Sequence, residues 1–128
     1  RIVKNTVFVF EDNIIFEINI FEKSNKEDFR YFLDENSNLT KSTKNDYCGS
    51  KTKKFFQRLY ADGIISYECE LYNLDTDSLP ALKFLLNKIK NKDDILYKIN
   101  YERKKLNGTP SACIGWYIKF LEYKHKNF

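Results

Sequence analysis

Apolar residues along this chain recur in two rhythms, and the switch from one to the other divides it into elements. Between Asn5 and Glu22 the period is two: Ile14, Phe16, Ile18 and Ile20 alternate with Glu17 and Asn19, the pattern of a half-buried strand. With the apolar run before it and a turn at Asp12-Asn13, this predicts a β-hairpin. The period then lengthens. Ser24 or Asn25 caps a helix over KEDFRYFLDE, which gathers Phe29, Phe32 and Leu33 on one face and sets Glu27 and Asp28 at its positive end. Residues 36–50 show no periodicity and read as a long polar loop. Helical spacing returns in KTKKFFQRLYA, with Ser50 as cap, Phe55, Phe56, Leu59 and Tyr60 as the stripe and Gly63 as the stop.

Alternation resumes in IISYECELYN, where Ile65, Tyr67, Cys69 and Leu71 face one way and Ser66, Glu68, Glu70 and Tyr72 the other. Leu79-Pro80 opens a third helix carrying Leu82, Leu85, Leu86 and Ile89, with the proline where its missing N–H does no harm. Two more alternating segments, 94–105 and 112–124, read as strands joined by a hairpin loop, LNGTPS, whose Asn-Gly pair tolerates positive φ. The resulting order, ββααβαββ, predicts a single α+β domain over residues 1–128: about a five-stranded antiparallel sheet with three helices, mostly on one face. Trp116 then belongs in the core between sheet and helices.

Composition supports a packed core. The chain is 42% hydrophobic and 16% aromatic, which argues against disorder despite 31% charged residues. No apolar run approaches the roughly 18 residues of a membrane span. Lysine, asparagine, isoleucine, phenylalanine and tyrosine dominate, as the codons of an AT-rich genome produce. The net charge of +4 is unevenly placed, with eleven Lys/Arg against four Asp/Glu in residues 83–128 and eleven against fourteen before them. A basic half attracts phosphate or an acidic protein surface, or simply forms a solvated lysine-rich face. The chain opens at Arg1 without methionine, which a removed signal peptide or a trimmed start both explain, so secreted and cytoplasmic settings stay open.

The residues that carry chemistry are few. The single histidine, His125, lies in the C-terminal tail and reads as exposed. Cys48, Cys69 and Cys113 have neither zinc nor redox spacing; Cys69 and Cys113 read as small packed hydrophobes, Cys48 as the exposed thiol. Asp75 and Asp77 offer a cation two carboxylates but lack the remaining ligands of a calcium loop, so Asp77 reads as a helix cap. Glu68 and Glu70 share one strand face. FFQRLYADGIIS resembles the helix-ending acidic motif of LAGLIDADG homing endonucleases, which implies a metal-binding role for Asp62. Arg58-Leu59-Tyr60 replace that motif's small-residue contact and no second copy follows, so the chain is not assigned to that family. Glycine-rich phosphate loops are absent, and no motif implies a cofactor.

These features favour a non-enzymatic protein–protein interaction module. A secreted effector-type protein of an AT-rich parasite or bacterium, binding host proteins, is the setting they suggest. Nucleic acid bound through the basic C-terminal half is the alternative. The expected contact residues are the cations and aromatics of the last hairpin, Tyr101, Arg103, Lys104, Lys105, Asn107 and Gly108, with Tyr47, Lys51 and Lys53 from the loop region. No catalytic residue, metal ligand or cofactor-binding residue is expected.

Overall fold

The computed structural model describes residues 1–10, 13–102 and 106–127. Strands β1 (Ile2–Phe10) and β2 (Ile14–Phe21) form the expected antiparallel hairpin, in a register that places Phe8 opposite Phe16 and Thr6 opposite Ile18. Asp12 lies outside the described residues, and Asn13 takes the left-handed conformation the turn requires, at φ 59°. Six helices follow: α1 (Lys26–Asn36), α2 (Lys41–Tyr47), α3 (Ser50–Ala61), α4 (Leu79–Lys90), α5 (Ile95–Asn100) and α6 (Thr109–Asn127). The chain is α+β with an antiparallel sheet, but that sheet has two strands among the described residues, not five. The expected order ββααβαββ is therefore corrected: three segments read as strands are not strands, and one read as loop is a helix.

Each correction has a local cause. Within residues 36–50, Thr40 accepts a hydrogen bond from the Thr43 amide at 3.2 Å and starts α2, a cap that the lack of an apolar stripe concealed. The segment after Gly63 does begin as a third strand: Val9 N–H donates to the Ile64 carbonyl at 2.8 Å and Ser66 N–H to that of Val7 at 3.1 Å. Hydroxyls then replace the backbone ladder. The Ser66 hydroxyl accepts from the Val7 amide, and Thr6 Oγ1 both accepts from Tyr67 N–H and donates to its carbonyl. A single bridge, Phe8 to Ile65, is all that forms. Beyond it a 3₁₀ turn at Leu71–Asn73 rotates Tyr72 inward, against its alternation, and leaves Tyr67 exposed beneath the Lys4 ammonium.

The last two segments are helices. In α5, Asp94 caps by accepting from the Leu96 amide at 2.9 Å, and Leu96, Ile99 and Asn100 are buried at helical spacing. In α6, Cys113, Ile114, Tyr117, Ile118 and Leu121 form a buried helical stripe, widened by Phe120. This nineteen-residue helix packs against all five others, so it is apolar on most sides. Asn107 and Gly108 adopt the positive φ expected of them, 49° and 79°, but turn the chain between two helices. Trp116 is half-buried at the edge of the core on α6, with the Lys119 ammonium 4.3 Å from its ring centre.

The other helices form where their spacing predicts, although Gly49 and not Ser50 stands at the N-cap of α3, and Tyr60 is exposed and not part of its buried stripe. α1 buries Phe29, Phe32 and Leu33; α4 starts at Leu79-Pro80 and buries Ala81, Leu82, Leu85 and Ile89. α3 ends at Gly63 (φ 77°), where the Gly63 amide donates to the Tyr60 carbonyl and Ile64 N–H to that of Leu59, a Schellman stop. No helix among the described residues is long and apolar enough to cross a membrane.

Candidate functional site

A concavity lies between α1 and α6. It encloses about 650 Å³, within the usual range for a binding cleft. Its floor is aromatic: Phe32 and Phe120 meet edge to face at 5.6 Å, and Phe32 also touches the Tyr123 ring at 5.5 Å. α1 supplies Asp28, Tyr31, Glu35 and Asn36 to one wall, at the three- and four-residue spacings that line up on a helix face. α6 supplies Tyr123 and Lys124 to the other, and Lys23 stands at the end where α1 begins. Tyr31 is 68% exposed and Tyr123 49% exposed. These open rings beside a buried aromatic floor present a large apolar contact area to solvent.

A buried polar network fixes the two helices relative to each other. The Tyr117 hydroxyl donates to the Leu74 carbonyl at 2.6 Å and accepts from Asn25 Nδ2 at 3.3 Å; the Asn25 amide N–H donates to the Tyr72 carbonyl at 2.7 Å. Lys124 Nζ closes the network on Asp75 at 2.9 Å. Asn25 immediately precedes α1 and Tyr117 lies in mid-α6, so these bonds set the width of the groove.

A second cluster ties the end of α2 to α6. The Cys113 thiol donates to the Tyr47 carbonyl at 3.3 Å, and the Tyr72 hydroxyl donates to the same oxygen. Burial pushes the Cys113 thiol up to about 11 and the Cys69 thiol up to about 12; it also raises Cys48, which is half-exposed, and the Tyr72 and Tyr117 hydroxyls. These thiols are protonated and packed at neutral pH, the opposite of an activated nucleophile. Tyr72, which sequence alternation turns outward, is thus a core residue holding two helices in place.

The acids singled out in the sequence are occupied. Asp62 pairs with Arg58 at 3.1 Å. Asp75 accepts from the Thr76 amide as well as from Lys124, and Asp77 accepts from the Asn19 amide at 3.0 Å, so neither caps α4. Glu68 and Glu70 stay exposed beside Lys53 in a shallow recess. No group of three His, Cys, Asp or Glu side chains among the described residues is placed to hold a metal ion. His125 is exposed near Asp77.

Among the described residues, the expected contact residues fall at separate places on the molecule. Tyr47 is 8% exposed, its ring spent in the core. Tyr101 is 50% exposed, stacks on Tyr97 at 4.6 Å and lies against Gly108, with Asn107 beside it; this is a helix-to-helix turn, not a hairpin tip. Lys51 is half-buried and Lys53 exposed on α3. Arg103, Lys104 and Lys105 lie outside the described residues. Tyr31, Glu35 and Tyr123, which build the groove, were not singled out in the sequence. The signal for Tyr31 was present, since it sits off the apolar face of α1 where a large ring has no structural task. No family model, curated protein or solved structure matches this chain.

Proposed function

We propose that this protein is a non-enzymatic protein-binding module and that the α1/α6 groove is its docking surface. The observation that carries the reading is the pair of exposed tyrosines, Tyr31 and Tyr123, standing over the buried Phe32–Phe120 floor. Tyrosine supplies contact area at little conformational cost, and such rings in a preformed cleft are where interface energy concentrates. The burial of Cys69 and Cys113 and the engagement of Asp62, Asp75 and Asp77 in folding bonds favour this reading over nucleophilic or metal chemistry. Nucleic-acid binding by the basic half draws less support. Lys83, Lys88 and Lys124 of that half already face Glu122, Asp94 and Asp75.

Peptides selected against the protein from a random display library test the proposal. The binders are expected to weaken by about tenfold or more on Tyr31→Ala or Tyr123→Ala and to be indifferent to Tyr101→Ala. Binders that ignore both groove substitutions, or that need Tyr101, would put the docking surface elsewhere.

A further inference from the structure

The last turn of α1 carries Asp34 and Glu35 and no basic residue. That is the negative end of the helix dipole, where a cation is stabilising and a carboxylate is not. Asp34 is compensated: Lys44 sits 2.9 Å away and Arg30 3.8 Å, and the Lys44 hydrogen bond holds its carboxyl below the usual range. Glu35, facing the groove, has no ion-pair partner among the described residues, and neither has Asp28 two turns earlier. The two lysines in the groove wall do not answer Glu35. Lys124 is turned onto Asp75, and Lys23 precedes α1, at the helix's other end. The groove therefore has Lys23 and Asp28 at one end and the unpaired Glu35 carboxylate at the other, with the Tyr31 and Tyr123 rings between.

We infer that the Glu35 end receives a cationic side chain, arginine in preference to lysine, from a basic segment of the partner protein. The inference rests on the groove being the docking surface. A guanidinium there meets a carboxylate at the negative end of the helix dipole and the exposed tyrosines, which together select a planar cation over a neutral side chain. The protein as a whole is positively charged, so general electrostatic attraction does not explain capture of a basic peptide.

Fluorescence anisotropy with a labelled hexa-arginine peptide, and with its uncharged hexa-citrulline counterpart at the same salt, tests this on the full chain. Hexa-arginine is expected to bind about threefold or more tighter than hexa-citrulline, and Glu35→Gln to remove most of that margin. Asp93→Asn, a surface acid away from the groove, is expected to change nothing. Equal binding of the two peptides, or equal loss from Glu35→Gln and Asp93→Asn, overturns the inference. A neutral library peptide that depends on Tyr31 but not on Glu35 would overturn the cation preference and leave the docking groove standing. Binding of these peptides that depends on neither Tyr31 nor Tyr123 would remove both.

Discussion

Tyr117 and Cys113 lie one turn apart on α6 and show how single polar atoms hold this core in register. Replacing Tyr117 by phenylalanine keeps the ring and removes both bonds of the hydroxyl, but the Leu74 carbonyl and the Asn25 side-chain amide still bond each other at 3.3 Å. The net worth of such a hydrogen bond is about 0.5–1.5 kcal/mol, so urea denaturation of Tyr117→Phe is expected to show a loss of that size. Burial also makes stability depend on alkaline pH. Cys113 and Cys69 ionise near their ordinary value of 9.0 once unfolded, but only around 11 and 12 in the fold. The unfolded state then loses protons first, so stability is fully present below about pH 9 and falls as pH rises toward those values. The urea midpoint is expected to be flat up to about pH 9 and to drop above it, and iodoacetamide is expected to label Cys48 before the other two thiols. The packed character of Cys113 was legible from its place between Ala112 and Ile114, although it packs from a helix and not from the expected strand. The burial of Tyr47 was not, because KNDYCGS looks solvated until α2 turns its last residue into the core.

At the scale of elements, alternation misled wherever apolar residues were frequent enough to satisfy both periods. Ile114, Trp116, Ile118 and Phe120 alternate, yet Cys113, Ile114, Tyr117, Ile118 and Leu121 fit a helix equally well. The arbiters were the length of the segment and Thr109-Pro110, the same proline start that correctly marks α4. Where amphipathic spacing was unambiguous, as in the hairpin, α1, α3 and α4, sequence and structure agree. Gly115 separates the two readings experimentally. A Cβ there would sit 4.0 Å from Leu86, an ordinary contact, so Gly115→Ala is expected to stabilise the protein by about 0.5–1 kcal/mol, with Gly115→Val gaining less. In a strand valine would be the better of the two. Gly108→Ala is expected to act oppositely and cost about 1–2 kcal/mol, since its φ of 79° disfavours a side chain and a Cβ would approach the Tyr101 ring to 2.8 Å. Thermal melts of the three variants check both orders.

At the scale of the molecule, the groove exists because α6 is a helix lying at the centre of the other five. Two strands closing the chain would have exposed a sheet face and a hairpin tip, and the cations and aromatics of that tip are what the sequence pattern selects. With α6 helical, Tyr123 and Phe120 meet Tyr31 and Phe32 from the other end of the chain, a juxtaposition no local spacing reveals. The most direct test is a ¹⁵N–¹H correlation spectrum of the whole protein, recorded while a display-selected peptide is added. The groove account predicts perturbed amides concentrated in residues 28–36 and 120–124, with those near Lys53 and Tyr101 unmoved. Perturbations centred on Lys53, Tyr101 and Asn107, with residues 28–36 silent, would contradict it.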